Sequence, residues 1–133
     1  MKKTELTLLI LAVDDLPRAK QFYIEAFGWE MDVDEPVYVQ FNLPNGMQVG
    51  LYTKSGFASN TNLQATVLSC GEEVTTGTEL YLRTENLEGS IQRLQQAGAK
   101  QLAELETKPW GDDVAYFADP VGNVLAIAKQ SGA

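Results

Sequence analysis

The sequence lacks histidine, the side chain that most often serves in acid–base catalysis and metal binding: none occurs among its 133 residues. Cysteine occurs once, at Cys70, which excludes an intrachain disulfide and a cysteine-rich metal site. Without a histidine to activate the thiol, Cys70 cannot form a Cys–His nucleophilic pair. We interpret it as a small residue in a linker, and a lone thiol fits a reducing compartment.

Basic residues are also scarce, with 10 lysines and arginines against 18 acidic residues and a net charge of −8. Nucleic acids and anionic membranes both require a basic surface, so we expect neither as a partner. The acidity keeps the surface solvated, and it would also attract a cationic ligand.

Long apolar runs are missing as well. Two lysines precede the apolar stretch 6–13 and imitate the start of a signal peptide, but Asp14 and Asp15 end the stretch after eight residues. No stretch reaches the length that crosses a bilayer. We therefore expect a cytoplasmic protein.

The chain does contain a duplicated strand–helix–strands pattern. The length favours a single domain over residues 1–133. We place a first βαβββ module at 5–53, a second at 78–130, and a linker arm rich in Ser, Thr, Asn and Gly at 54–77. Such a long connection is unusual in a compact domain, so we expect it to be partly structured and to cross the molecule.

Helix signals recur at equivalent places in both modules. Asp14 or Asp15 can cap the first helix and Gly28 can end it, while Asn86 and Gly98 play these parts in the second. Apolar residues at helical spacing lie between, at Ala19, Phe22, Tyr23, Ala26 and Phe27, and again at Leu87, Ile91 and Leu94. Alternation and turn residues predict strands at 6–13, 29–33, 37–43, 47–53, 79–84, 100–106, 114–118 and 123–129.

These elements predict an α+β fold in which each module is a curved sheet backed by one helix. Side by side, the modules would form one larger curved mixed sheet, with helices on its convex face and a cleft on its concave face. The apolar run 6–13 suggests a strand covered on both faces. Small or polar residues would line the cleft, at Gln48, Gly50 and Tyr52 and at Val124, Ala126 and Ala128.

The chain resembles the vicinal oxygen chelate superfamily, which includes glyoxalase I, bleomycin-resistance proteins, fosfomycin-resistance proteins and extradiol dioxygenases. The resemblance extends from Leu6 to Lys129, and its motifs specify the fold but no substrate. It rests on residues 13–19, Phe22-Tyr23, Phe27-Gly28-Trp29, and the run from Pro109 to Asn123.

In the metal-using relatives, ligands come from the first and last strand of each module. The resemblance places those positions at Leu8, Gly50, Glu79 and Ala126. Only Glu79 can bind a cation, whereas such ions take several oxygen, nitrogen or sulfur ligands. We therefore expect no metal and no cofactor.

Three residues of strand 79–84 are candidate site residues. Glu79 is a solvated charge, a carboxylate that binds ligand, or a general base whose pKa Leu8 and Ala126 raise by desolvation. Tyr81 stacks on a ligand or simply packs. Arg83 pairs with Glu79, holds an anionic ligand, or is an ordinary surface arginine.

Trp110 lies in a Pro-Trp-Gly turn, which the resemblance places near the mouth of the cleft. It either forms a flat wall for a planar ligand or anchors the turn. Gln48 and Tyr52 are further ligand-binding candidates. Five other residues receive further roles: core or interface for Trp29, a polar hairpin end or cation steering for Asp112 and Asp113, and turn chemistry for Asp119 and Asn123.

Two functions follow from these residues. The first is a metal-free protein that binds a small aromatic or cationic molecule in the cleft, as bleomycin-resistance proteins do. The second is a lyase, isomerase or dioxygenase-type enzyme that uses Glu79 as base or an unrecognised metal site. The resemblance also implies a homodimer, in which cleft residues come from two chains.

Overall fold

The computed structural model describes residues 2–67 and 74–130. Cys70 lies outside these ranges, and its predicted role stays a prediction. The first module contains β1 (Leu8–Val13), α1 (Leu16–Phe27), β2 (Glu30–Asp34), β3 (Tyr38–Asn42) and β4 (Gln48–Thr53). After α2 (Lys54–Thr61), the second contains β5 (Glu79–Arg83), α3 (Leu87–Gln96), β6 (Lys100–Thr107), β7 (Asp112–Ala118) and β8 (Val124–Gln130).

The helix boundaries follow the predicted capping residues. Asp15, and not Asp14, caps α1, because its carboxylate accepts a hydrogen bond from the Arg18 amide at 3.1 Å. Gly28 ends α1 in the left-handed conformation, with φ of 63°. Asn86 caps α3 through the Gly89 amide. The end of α3 differs from the prediction, because its C-terminal cap is Ala97 in the right-handed conformation and Gly98 follows with φ of 92°.

The strands form two separate four-stranded sheets, of order β1-β4-β3-β2 and β5-β8-β7-β6. In each sheet the first strand runs parallel to the last, and the other pairs are antiparallel. The fold class is as predicted, but the single larger sheet is not: no strand pair joins the two sheets within residues 2–67 and 74–130.

One apolar core connects the two modules from the helix side of both sheets. It contains α1 and α3 residues such as Phe22 and Leu94, together with Phe41 of the first sheet and Phe117 of the second. The buried Tyr23 hydroxyl of α1 donates a 2.6 Å hydrogen bond to Asp119 in the turn between β7 and β8. The helices therefore hold the modules together.

Each sheet has an outer face, which we define as the face turned away from the helices. In β1, Leu11 and Val13 are buried on the helix side, whereas Leu8 and Ile10 on the outer face are only half-buried. Within the described residues of one chain, this strand is therefore covered more completely on the helix side than on the outer face. The apolar run 6–13 reflects a half-open sheet.

The outer face of the first sheet includes the polar side of β3. Val39 and Phe41 point into the core, so Tyr38 and Gln40 lie on the outer face with Gln48.

Candidate functional site

Small side chains form a floor on the outer face of the second sheet. In register across three strands, Tyr81 of β5 lies beside Ala126 of β8, and Arg83 lies beside Ala128. Val114 of β7 lies on the other side of Ala128. These alanines and Val114 are fully buried. Because alanine rises so little above the backbone, long side chains from β5 can reach across β8 to β7.

Asp112 is the group that they reach. The Tyr81 hydroxyl donates to Asp112 Oδ2 at 2.6 Å. The Arg83 guanidinium approaches in bidentate fashion, with Nη1 at 3.2 Å from Oδ1 and Nη2 at 3.0 Å from Oδ2. Trp110 Nε1 in turn donates to the Tyr81 oxygen at 2.9 Å. We call these four residues the Asp112 network.

The electrostatics of the network favour an ionised carboxylate. The hydrogen bond from Tyr81, and then the bonds and charge of Arg83, hold the pKa of Asp112 below its usual value. Desolvation of its hydroxyl, followed by the hydrogen bond to Asp112, raises the pKa of Tyr81 above its usual value. Tyr81 therefore acts at neutral pH as a protonated donor.

Two aromatic rings of the network are open to solvent. Trp110 is 59% exposed and Tyr81 is 38% exposed, although Asp112 beneath them is only 3% exposed. The guanidinium carbon of Arg83 lies 5.7 Å from the centroid of the Tyr81 ring, and Lys108 Nζ lies 5.3 Å from the centroid of the Tyr116 ring. The outer face therefore offers aromatic surface beside cationic groups.

A shallow depression continues this face at the ends of β5 and β8. Its volume is about 510 Å³. Arg83 contributes to both the depression and the Asp112 network, so the two features adjoin. The other lining residues are Thr84, Glu85, Lys129 and Gln130.

The outer face of the first sheet carries a separate amide–carboxylate network. Gln48 Nε2 donates to Asn42 at 2.7 Å and to Asp32 at 3.2 Å, and Gln40 also donates to Asp32 at 3.2 Å. Tyr52 packs edge-on against Tyr38, with ring centroids 5.1 Å apart. This face is polar and acidic.

The structure brings together only some of the residues predicted from sequence. Tyr81, Arg83 and Trp110 meet in one network, but Gln48 and Tyr52 belong to the other sheet. Glu79 is exposed, and its carboxylate has no hydrogen bond or ion pair with any other described residue. Arg83 pairs with Asp112, so the alternative in which it pairs with Glu79 is wrong.

The sequence predicted a hairpin end or cation steering for Asp112, and did not predict its place in the network. β7 begins at Asp112, two residues earlier than predicted, so this aspartate belongs to the sheet. The alanines at 126 and 128 were the available signal, because small residues on a central strand let flanking side chains meet. Reading that signal required the order β5-β8-β7, which the sequence did not give.

The other structural predictions can be compared with observed contacts. Trp29 stacks on Phe27, with ring centroids 4.5 Å apart, and packs against the core as predicted. Asp119 accepts hydrogen bonds from the amides of Val121 and Asn123, which confirms its role in the turn.

The residues at the superfamily's metal positions do not fit a metal ion. Leu8 and Gly50 lie on the first sheet, Glu79 and Ala126 lie on the second, and only Glu79 offers a donor atom. Across residues 2–67 and 74–130, no group of three or more His, Cys, Asp or Glu side chains is placed to hold a metal ion. We therefore derive no chemical step through a metal.

None of the helices within the described ranges is long and apolar enough to cross a membrane.

Comparison with known proteins identifies the fold. A family model described as a glyoxalase-like domain matches residues 6–131. An uncharacterised protein of Mycobacterium bovis is 28% identical over 126 residues, which cover 90% of this chain and 79% of that protein.

Two solved structures are also similar. A glyoxalase/bleomycin resistance protein/dioxygenase from Nocardioides superposes with a TM-score of 0.80 at 18% identity, covering 99% of this chain and 87% of that one. A glyoxalase-related enzyme from Fulvimarina pelagi gives a TM-score of 0.79 at 23% identity, covering 96% and 89% of the two chains.

Two modules of the same topology and a match over nearly the whole chain define the class of protein. The chain belongs to the glyoxalase-like domain family, within the vicinal oxygen chelate superfamily.

Proposed function

We propose that this protein binds a small planar molecule without chemical change, against the aromatic surface that Trp110 and Tyr81 present. One observation carries the proposal: two hydrogen-bonded aromatic rings, 59% and 38% exposed, stand on the outer face of a sheet in a family whose relatives include bleomycin-resistance proteins. Rings fixed in this way offer contact area at little cost in conformational entropy.

The two cations on this face, Arg83 and Lys108, are paired with Asp112 and Glu106, which leaves the Glu79 carboxylate to attract a cationic molecule. Glu79 lies on the same face of β5 as Tyr81 and keeps an exposed carboxylate. Asp112 is enclosed by Tyr81 and Arg83, so it is not available to a ligand. The net charge of −8 adds long-range attraction for cations.

Tryptophan fluorescence tests the proposal directly, because Trp29 and Trp110 are the two tryptophans. In the Trp29→Phe variant, all tryptophan emission comes from Trp110. We expect 9-aminoacridine, a planar cation, to quench this emission saturably and to bind more tightly than phenazine, a neutral molecule of similar shape.

Calorimetry with variants provides the control. Trp110→Ala should lose binding of 9-aminoacridine, whereas Leu63→Ala should keep it, since Leu63 is an exposed apolar residue outside the site. Equal binding by wild type and Trp110→Ala, or no binding from a broad panel of planar cations, would contradict the proposal.

We also propose that the protein is a homodimer in which the outer faces of two copies meet. The first sheet's outer face carries Glu30 and Asp32, and the second sheet's carries Arg83 and Lys108. Opposite charges favour contact between unlike faces. That contact would bring Gln48 and Tyr52 of one copy close to the Asp112 network of the other.

Sedimentation velocity measures the assembly. We expect a dimer whose dissociation constant rises with salt and rises further for Arg83→Glu. A monomer at every concentration would contradict the dimer, and Lys2→Glu, at the exposed N-terminus, is a control for charge alone.

We also propose that the protein is cytoplasmic. The single cysteine supports this location, because a lone thiol fits a reducing compartment. Fractionation of cells that produce the native protein tests it, and recovery in a membrane or secreted fraction would contradict it.

The second candidate function is a lyase, isomerase or dioxygenase-type enzyme that uses Glu79 as base. It is favoured by the exposed, unpaired Glu79 carboxylate beside Tyr81, and by the likeness to a glyoxalase-related enzyme. The described residues of one chain do not enclose Glu79, however. Leu8 and Ala126 therefore do not remove its carboxylate from water.

Proton transfer tests this alternative without a known substrate. Deuterium uptake from D2O into dihydroxyacetone should exceed the buffer rate, and Glu79→Gln should abolish it while the fold stays intact. Elemental analysis of protein purified without chelators tests the unrecognised metal site. Uptake at the buffer rate and no stoichiometric metal would leave the binding function.

A further inference from the structure

We propose that Asp112 is a positioning residue for the ligand wall, by which we mean the aromatic surface of Trp110 and Tyr81. It acts on the Trp110 indole through the Tyr81 hydroxyl. The inference rests on the proposed function, because it assigns how the wall is held. The sequence indicates a polar hairpin end or cation steering at this position.

The two hydrogen bonds that link Trp110 to Asp112 run in one direction. Trp110 Nε1 donates to Tyr81, and the Tyr81 hydroxyl donates its single proton to Asp112. With that proton directed at the carboxylate, the lone pairs of the phenol oxygen are left to accept from the indole. Without Asp112, the hydroxyl rotates, and its acceptor direction is no longer fixed.

Asp112 can hold this position because its side chain is enclosed and hydrogen-bonded. Its side chain is 4% exposed, and both carboxylate oxygens are occupied by the Arg83 guanidinium. A buried carboxylate needs such partners, so its location is tightly determined. This chain of hydrogen bonds, which we call the relay, therefore starts from an enclosed charge at the first residue of β7 and ends at an exposed ring.

The backbone of the turn is held separately from this relay. The Lys108 amide donates to the Asp112 carbonyl at 2.8 Å, and the Gly111 amide donates to the Lys108 carbonyl at 3.0 Å. Gly111 has φ of 96°, which favours glycine. Side-chain variants of Asp112 and Tyr81 thus leave the turn in place and alter only the freedom of the indole.

Restricting the indole before binding has a thermodynamic consequence. An exposed side chain that becomes ordered on binding costs about 0.5–1.5 kcal/mol, which corresponds to about a two- to tenfold loss of affinity. Because the relay orders Trp110 in the free protein, its removal should weaken binding by this factor even though no ligand contact is deleted.

The test uses the Trp29→Phe background, in which fluorescence reports Trp110 alone. Tyr81→Phe keeps the ring but removes the hydroxyl, and Asp112→Ala removes the anchor. In both variants we expect lower Trp110 anisotropy in the free protein and two- to tenfold weaker binding of 9-aminoacridine. Asp113→Ala is the matched control, since Asp113 bonds Thr107 and not Tyr81.

The outcomes separate this inference from the proposed function. Lower anisotropy in Tyr81→Phe supports the positioning role even where wild type binds no acridine, and in that case only the proposed function fails. Anisotropy unchanged in Tyr81→Phe, with far-UV circular dichroism equal to that of the parent, overturns the positioning role. Tyr81→Phe decides the matter should Asp112→Ala fail to fold.

Discussion

Gly50 is required because the Tyr38 ring occupies the space above it. A Cβ at this position would approach the Tyr38 ring carbons at 2.8 Å, closer than packed atoms tolerate. Gly50→Ala should therefore displace Tyr38 and destabilise the protein by about 1 kcal/mol, at the low end for overpacking because Tyr38 is only half-buried. Urea unfolding measures the change.

The control for Gly50 is a double-mutant cycle. In the Tyr38→Ala background the ring is gone, so Gly50→Ala should cost nothing, since alanine orders a strand better than glycine does. The same loss in both backgrounds would show that Tyr38 is not the cause.

Tyr23 makes the free energy of unfolding depend on pH in the alkaline range. Burial, and then the charge and hydrogen bond of Asp119, raise the pKa of Tyr23 well above its usual value. Tyr23→Phe loses a buried hydrogen bond to a charged group, so we expect a loss of about 1.5 kcal/mol at neutral pH. Urea unfolding across pH measures it.

The sign of the pH effect follows from linkage. As pH rises through about 10, tyrosine in the unfolded chain loses its proton while folded Tyr23 keeps it. Wild-type stability therefore falls with pH in this range, and the advantage over Tyr23→Phe should shrink. Tyr116→Phe is the control, because within residues 2–67 and 74–130 its hydroxyl makes no hydrogen bond. A gap that grows with pH would contradict the assignment.

The residues that sequence predicted well are those whose signals are local. Trp29 follows a helix-ending glycine, and Asp119 and Asn123 flank a turn; these contexts need no knowledge of distant strands. The role of Asp112 depends on residues 29 and 31 positions away on another strand. Such a contact is set by strand order, so it could not be predicted locally.

At the scale of the element, the cap of α1 gives a sharp test. Asp15 bonds the Arg18 amide, whereas its neighbour Asp14 is exposed and outside the helix. Asp15→Ala should destabilise the protein by about 1 kcal/mol through the unsatisfied amide. Asp14→Ala should change stability by less than about 0.5 kcal/mol, as surface substitutions do. Thermal unfolding distinguishes the two, and equal losses would contradict the assignment.

Element boundaries were less predictable where burial gives no pattern. All eight residues of β6 are exposed, so alternation cannot define where it ends, and the observed strand extends one residue past the prediction. The helix α2 in the linker has no apolar stripe and buries no side chain, which explains why composition indicated only a partly structured arm. Helices α1 and α3 have caps and stripes and were located correctly.

At the scale of the whole molecule, duplication in the sequence predicted two equivalent modules but not how they join. The predicted joint was a continuous sheet, whereas the observed joint is the core around α1 and α3. Both arrangements bury the same apolar stripes, so hydrophobic pattern alone cannot choose between them. The Tyr23–Asp119 bond, which favours the observed joint, involves two residues whose local contexts indicate core and turn.

A core shared by both modules predicts that the chain unfolds as one unit. The two tryptophans report on different modules: Trp29 packs against Phe41 of β3 in the first, and Trp110 bonds Tyr81 in the second. Trp110→Phe leaves the first reporter and Trp29→Phe leaves the second. In each variant we expect the urea midpoint from fluorescence to coincide with the midpoint from far-UV circular dichroism of that same variant, as two-state unfolding requires.

Comparison within a variant removes the effect of the substitution on stability. If the Trp110 transition came at lower urea than the loss of secondary structure, the second module would unfold independently, and the joint through α1 and α3 would contribute less than the extent of the shared core implies.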